Sequence, residues 1–250
     1  MKKTLSLLLC LLLLVCSLTF TACDLDSGEK YAPNGLAYQI NEDRKTCTIV
    51  GIGNCTDTEI TIPEKIGKYK VTIIGKDAFL DQVQITQVSL PDGLLSIEDS
   101  AFMYCTGLTE VIIPNTVTDV GIYAFGLCDN LKSIQLSNSL TEIAVQLCYS
   151  CKSLEEVVIP DSVKVIGDGA FAECPLKSVT LGSGIEKIES FGLLNHGNNG
   201  FYPLTVTYNG TLDQWKRVER ANRWIQEIDC SFSCLDYSGD IMDVYEYVHP

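Results

Sequence analysis

Basic residues are scarce in this sequence of 250 residues, which has 18 lysines and arginines against 32 aspartates and glutamates. Without residues 1–22, which include Lys2 and Lys3 but no carboxylate, the net charge becomes −16. A negative field of this size repels the phosphates of nucleic acids and of anionic lipid headgroups. The composition therefore excludes nucleic acid as a partner.

Histidine and the familiar catalytic motifs are also scarce. The two histidines, His196 and His249, do not have the spacing of a zinc protease, and no G-x-S-x-G nucleophile motif occurs. Glu155 and Glu156 are adjacent on a predicted strand, where neighbouring side chains face opposite ways and do not act as an acid/base pair. We therefore expect a protein that is not an enzyme and that has no catalytic residues, metal site or cofactor.

The long apolar run of the sequence lies at its N-terminus. Lys2 and Lys3 precede an apolar segment from residue 5 to residue 18, which is the pattern of a signal peptide. The segment ends in Phe20-Thr21-Ala22-Cys23, which resembles the lipobox of bacterial lipoproteins. That resemblance implies that the cysteine is lipidated and becomes the new N-terminus.

The N-terminal pattern predicts where the protein is located. We expect residues 1–22 to be a signal peptide and residues 23–35 to be a lipidated cysteine with a polar tether. The protein would then be exported and anchored by lipid to the extracytoplasmic face of the cell membrane. The alternative is ordinary secretion, with Cys23 as a simple thiol.

A period of 23 residues organises the middle of the chain. Phenylalanine recurs at this spacing at Phe79, Phe102, Phe125 and Phe171, with Cys148 in the missing fourth position. Four cysteines, which we call the ladder cysteines, follow the same step at Cys105, Cys128, Cys151 and Cys174. Repeats of this length are typical of solenoids, in which units that are too small to fold alone bury their apolar surfaces against each other.

The pattern within one repeat predicts its local structure. After Cys105, the alternation of Val111 and Ile113 predicts a short strand, and Pro114 ends it because proline cannot donate to a sheet. Gly121 then turns the chain into an Ala-Phe segment, for which we expect about one helical turn.

The repeats resemble a known family. Between residues 97 and 121, and with losses between 143 and 167, the chain follows the pattern Ala-Phe-x-x-Cys-x-x-Leu-x-x-Val-x-Ile-Pro. This pattern resembles the BspA-like leucine-rich repeat of bacterial surface proteins, and the segment Tyr208-Asn-Gly-Thr211 with Gln214-Trp215 is similar to the end of such arrays. The resemblance implies a leucine-rich-repeat solenoid, a β-rich α/β fold of short stacked strands, short helical turns and one C-terminal capping helix.

The same comparison divides the chain into segments. We expect residues 36–74 to form an N-terminal cap and a first divergent repeat, and residues 75–189 to form five repeats of 22–23 residues. Residues 190–250 are predicted to contain a degenerate repeat, a C-terminal cap and an acidic tail. Thr211 and Gln214 fit a capping box, which places the capping helix directly after Thr211.

The cysteines allow two interpretations. Cys148 and Cys151 form a C-x-x-C motif, which by itself suggests a redox pair or half of a zinc site. The repeat register instead predicts that these two residues and the other ladder cysteines are buried thiols without metal. Outside the ladder, Cys47 with Cys55 and Cys230 with Cys234 are candidates for disulfides in an exported protein.

The outward side of the predicted strands is the candidate binding site. It presents two apolar residues among polar ones, with these members in three consecutive repeats: Glu110, Ile112, Ser133, Gln135, Glu156 and Val158. Since the family is associated with adhesion and protein binding, the resemblance implies a non-catalytic module that contacts a protein or an envelope ligand. A plain exposed sheet is the alternative at this face. The alternative function is a surface hydrolase, or an accessory subunit of one, with a site between residues 192 and 235.

Overall fold

The computed structural model describes residues 30–193, 196–197, 200–201, 203–221, 223–224 and 230–240. The chain divides into two compact units, residues 1–30 and 31–250, and almost all described residues belong to the second unit. The predicted signal peptide, Cys23 and most of the tether lie outside the described residues, as do residues 241–250 of the acidic tail. In the described part of the chain, no helix is long and apolar enough to cross a membrane.

Short strands make up nearly all of the regular structure. The first are β1 (Lys30–Tyr31), β2 (Ala37–Ile40), β3 (Thr46–Gly51), β4 (Glu59–Thr61), β5 (Lys65–Ile66) and β6 (Tyr69–Ile74). The repeats contain β7 (Gln87–Ser89), β8 (Ser96–Ile97), β9 (Glu110–Ile112), β10 (Asp119–Val120), β11 (Ser133–Gln135), β12 (Glu142–Ile143), β13 (Glu156–Ile159), β14 (Val165–Ile166), β15 (Ser178–Leu181) and β16 (Lys187–Ile188). They are followed by β17 (His196–Gly197), β18 (Gly200–Phe201), β19 (Leu204–Tyr208), α1 (Leu212–Trp215), β20 (Glu219–Arg220), β21 (Cys230–Cys234) and β22 (Tyr237–Asp240).

Each repeat contributes one strand to each of two sheet surfaces. The first surface consists of the parallel pairs β4–β7 and β9–β11 and of the order β13-β15-β19-β21, to which β22 adds an antiparallel edge. The second surface consists of β6, β8 and β10, followed by β12, β14, β16 and β20, again with parallel pairing. The chain is therefore a β-solenoid, and the predicted leucine-rich-repeat architecture is confirmed.

The Ala-Phe segments are stacked turns and not helical turns. Two positions four residues apart have positive φ in successive repeats, for example Ser100 and Tyr104 at 54° and 61°. Between turns, Ser100, Phe102 and Tyr104 donate their N–H groups to carbonyls of the next repeat at 2.8–3.0 Å. Left-handed residues break an α-helix, so the segment bonds to its neighbours as a third ladder.

Close stacking explains why glycine begins some of these turns. Gly121 is not in the left-handed region, but a Cβ atom at this position would overlap the backbone of Asp99 in the preceding turn. The glycine is required by this approach of two backbones and not by its conformational freedom.

The core is a set of columns that run through the stack. Phe79, Phe102 and Phe125 are fully buried, and their rings stack with centroids 4.9 and 5.4 Å apart and planes within 2°. The ladder cysteines are all fully buried, as predicted. Each of them places its thiol 3.0–3.2 Å from the carbonyl of the residue in the phenylalanine position one repeat before, so the thiol satisfies a buried backbone acceptor.

Both sheet surfaces are interrupted at the same junction. Strand β11 does not pair with β13, and β10 does not pair with β12. Here the phenylalanine column passes from Phe125 to the smaller Cys148. The turn segments still bond across the junction, since Phe125 and Leu127 donate their N–H groups to the carbonyls of Leu147 and Tyr149 at 3.0 and 2.7 Å.

A short helix with an aromatic cluster closes the C-terminal part. Helix α1 has the predicted capping box, in which Thr211 and Gln214 bond to each other's backbone N–H groups, and Asp236 accepts a further bond from the Leu212 N–H at 2.8 Å. Trp215 packs against Phe232 and Trp224 with ring centroids 4.9 and 5.6 Å apart. The helix has four residues, its C-cap Lys216 keeps right-handed helical dihedral angles, and β20 begins three residues later at Glu219.

Cys230 and Cys234 do not fit the disulfide that we considered for them. They begin and end the single strand β21, so their Cα atoms are about 13 Å apart, beyond the range that a disulfide spans. No disulfide joins any of the nine cysteines of the described residues, which include Cys47 and Cys55.

Candidate partner-binding face

The six predicted contact residues lie together on the first sheet surface. Strands β9, β11 and β13 begin with the same exposed, buried, exposed pattern, which follows from alternation along a strand. Glu110 pairs with Ser133 and Ile112 pairs with Gln135 in parallel register. All six side chains, Glu110, Ile112, Ser133, Gln135, Glu156 and Val158, are exposed on what we call the outer strand face.

The two apolar residues of this face are well exposed. Ile112 retains 53% of its accessible surface and Val158 retains 61%. Gln135 holds the equivalent position in the repeat between these two residues. Ile112 and Val158 each lie two residues after a glutamate. Alternate repeats thus present an acidic and an apolar side chain, and the repeat between them presents Ser133 and Gln135.

The outer strand face extends further than the sequence analysis predicted. Strands β19 and β21 continue it with outward Thr205, Thr207, Ser231 and Ser233, which pair in register. The Ser231 hydroxyl lies 3.1 Å from that of Thr205, and the Ser233 hydroxyl lies 3.4 Å from that of Thr207. The polar-apolar-polar alternation at residues 205–207 and 231–233 was the signal that would have identified them.

The C-terminal region contains a shallow groove beside these hydroxyls. Its lining is Thr205, Cys230, Ser231, Phe232, Ser233, Ser238 and Gly239. In the part of the chain that the structure describes, this lining includes no histidine and no carboxylate, the side chains that most often act as acid or base in a hydrolase. Among the described residues, no group of three or more histidine, cysteine, aspartate or glutamate side chains is arranged to hold a metal ion.

Comparison with known families agrees with the repeat geometry. The profile of the BspA type leucine-rich repeat region matches residues 72–196 with six copies, which is half of the chain. The chain belongs to the BspA-type leucine-rich repeat family. The matched segment includes β9, β11 and β13, so the central part of the outer strand face is built from this BspA-type repeat.

Solved structures share the fold of this BspA-type protein. A leucine-rich repeat protein from T. pallidum is 30% identical, with a TM-score of 0.61 over 72% of this chain and 86% of that chain. A leucine-rich cell surface protein from Faecalibacterium prausnitzii is 23% identical, with a TM-score of 0.56 over 78% of this chain and 43% of that chain. A leucine-rich repeat protein from Eubacterium ventriosum is 24% identical, with a TM-score of 0.56 over 66% of this chain and 42% of that chain.

The relatives differ in length from this chain. It spans most of the T. pallidum protein but less than half of the other two. Among curated proteins, no significant match occurs.

Proposed function

We propose that this BspA-type protein is a non-catalytic, extracytoplasmic binding module that contacts a protein or envelope partner through its outer strand face. The observation that carries the proposal is the exposure of Ile112 and Val158 on the outward side of the stacked strands, one on each side of the junction between β11 and β13. Apolar side chains at the centre of a polar surface are the usual anchors of protein interfaces. Stacked repeats also present a continuous surface of this kind to partners.

The location outside the cytoplasm is part of the same proposal. The apolar segment before Cys23 is typical of a signal peptide, and the F. prausnitzii relative of this fold is a cell surface protein. Cys23 is the residue through which we propose that the chain is attached to a membrane.

We predict that Cys23 is the mature N-terminus and carries lipid. In the producing bacterium, mass spectrometry of the purified protein should show a chain without residues 1–22 and with diacylglycerol on Cys23. A Cys23→Ser variant should move from the membrane fraction to the soluble exported fraction, because a serine hydroxyl is not a substrate for thiol acylation. Lys3→Arg is the matched control and should stay in the membrane fraction. An unacylated N-terminus at any position would contradict the anchor.

Photo-crosslinking tests the outer strand face directly. A benzophenone amino acid at position 135, between Ile112 and Val158, should capture a specific partner on intact cells. The same probe at position 142, on the second sheet surface, is the matched control and should capture at least tenfold less. The double variant Ile112→Ser with Val158→Ser should reduce capture at position 135 at least tenfold, since both anchors are removed.

A second variant tests whether reduced capture comes from a loss of protein stability and not from the loss of the two anchors. Leu95→Ser removes an apolar side chain that is 50% exposed next to β8 on the second sheet surface, and it should leave capture at position 135 unchanged. Equal capture by the unmodified protein and by the double variant would show that the outer strand face is a plain exposed sheet.

A further inference from the structure

Three tyrosines lie together on the turn segments of consecutive repeats. The rings of Tyr123 and Tyr149 meet edge to face, with centroids 5.9 Å apart. Tyr104 is 43% exposed, and Leu127 holds the equivalent position one repeat later. We call Tyr104, Tyr123, Leu127 and Tyr149 the tyrosine patch. It lies on the third ladder of the solenoid and not on the outer strand face.

The tyrosine hydroxyls are close enough to influence each other. Partial burial raises the pKa of Tyr149 most, followed by the carboxylate of Glu173 and then by Tyr123 and Tyr104. These effects keep the Tyr149 hydroxyl protonated. Tyr149 therefore contributes a neutral aromatic ring to the patch near neutral pH.

The backbone under the patch does not require tyrosine. Tyr104 and Tyr123 have φ values of 61° and 55°, in the left-handed region that disfavours bulky side chains. The neighbouring repeats have Asp81 and Leu127 in the position of Tyr104, and Ser100 and Gln146 in the position of Tyr123. Since stability favours glycine or asparagine there, the aromatic side chains have their role at the surface.

One glycine gives room to the central ring. Gly126 stands where the neighbouring repeats have Met103 and Tyr149, and a Cβ atom at this position would meet the ring of Tyr123. The Tyr123 ring thus lies across a position without a side chain, where it reaches the edge of Tyr149. The sequence combines a tyrosine and a glycine that together allow an edge-to-face aromatic pair across two repeats.

The turn segments around the patch are acidic. Residues 76–82, 99–106, 122–130, 145–153 and 168–175 contain the carboxylates of Asp77, Asp81, Asp99, Asp129, Asp168 and Glu173, against the two lysines Lys76 and Lys152. Lys152 is already paired with Glu173, with Nζ 3.4 Å from Oε2. Aromatic faces within a negative field attract cations, and guanidinium groups stack on them best.

We propose that the tyrosine patch is a second docking surface, for an arginine-rich segment of a protein partner. The guanidinium groups stack on the exposed ring of Tyr104 and on the half-buried rings of Tyr123 and Tyr149. The carboxylates of the turn segments neutralise the positive charge of the bound segment. Tyrosine and arginine are the residues that dominate the energy of protein interfaces. The proposal does not depend on the function of the outer strand face, because the two surfaces use different residues.

Two synthetic peptides separate stacking from simple charge attraction. The probes are capped nonapeptides in which glycine alternates with arginine in one and with lysine in the other, so that both carry the same charge. Isothermal titration calorimetry with the purified full-length protein in non-ionic detergent, at about 50 mM salt, should show at least fivefold tighter binding of the arginine peptide.

The test variants replace tyrosine with a residue that the left-handed backbone accepts, so that the fold is preserved. Asparagine is tolerated at positive φ, so the double variant Tyr104→Asn with Tyr123→Asn should unfold at an equal or higher temperature than the unmodified protein. It should bind the arginine peptide at least fivefold more weakly and no longer distinguish it from the lysine peptide. The control Ile112→Ser with Val158→Ser should change neither affinity by more than twofold.

Three results would overturn the proposal. Equal affinity for the two peptides in the unmodified protein would show charge attraction without stacking. Undiminished arginine binding by the tyrosine double variant would place the site elsewhere. If Ile112→Ser with Val158→Ser weakened binding of the arginine peptide as much as the tyrosine double variant does, the peptide would bind to the outer strand face.

Discussion

Replacing Phe125 with alanine should lower the free energy of unfolding by about 3–5 kcal/mol. Phe125 is fully buried at the end of the stacked phenylalanine column, with Phe102 on one side and the smaller Cys148 on the other. Its carbonyl also accepts the Cys151 thiol at 3.1 Å. Alanine would leave a cavity that the stacked backbones cannot close, because each turn is bonded to its neighbours.

Phe125→Leu is the matched variant and should cost only about 1–1.5 kcal/mol, since it keeps most of the buried volume. Urea unfolding followed by circular dichroism would give both values. Because a solenoid can unfold in sections, hydrogen exchange of residues 100–104 and 145–149 should report the local loss of protection. A cost below about 1 kcal/mol for alanine would show that the side chain is not part of the core.

The ladder cysteines should resist alkylation in the native protein by a factor of at least ~1000 relative to a free thiol. Burial raises the pKa of Cys105 to about 12 and raises those of Cys151 and Cys174 well above the ordinary value. Since the thiolate is the reacting species, a pKa three units higher lowers the reactive fraction about a thousandfold at pH 8. Mass spectrometry after iodoacetamide treatment would measure the labelling of each cysteine.

Half-exposed Cys55 is the internal control and should be labelled under the same native conditions. In denaturant, the ladder cysteines should react as fast as Cys55. Rapid native labelling of Cys105 or Cys128 would contradict their place in the core.

The raised pKa values of these thiols predict that the stability of the fold depends on pH. Their pKa values are raised in the folded state, so their stabilising contribution is complete below the unfolded value of about 8.5. It is lost as the pH rises from there towards about 12, the pKa of folded Cys105. The unfolding temperature should therefore fall progressively above about pH 9.

The repeat register was readable in the sequence because buried positions tolerate few residue types. Phe102, Cys105 and Val111 each lie in the core, and a side chain of another size or polarity would leave a cavity or an unpaired polar group. The alternation around Val111 and Val157 likewise identified Glu110, Ile112, Glu156 and Val158 as outward residues. The six positions of the outer strand face therefore followed from period and alternation together.

The turn segments were not readable in the same way. Ala101 and Phe102 suggest a helical turn, because left-handed conformations at Ser100 and Tyr104 have no signature when glycine is absent. The ladder bonds between repeats decide that conformation, and local propensity does not. The disulfide considered for Cys230 and Cys234 failed for a related reason, since spacing along the chain does not reveal that both residues share one strand.

The sequence by itself determined the period, the buried columns, the outward strand positions and the family, because close packing imposes the same demand on every repeat. Only the tertiary structure decided which residues of different repeats meet. Tyr104, Tyr123 and Tyr149 occupy three different positions of the repeat and share no period. They come together because parallel stacking brings turns 23 residues apart to within about 5 Å, and because left-handed backbone at Tyr104 and Tyr123 sets the course of those turns.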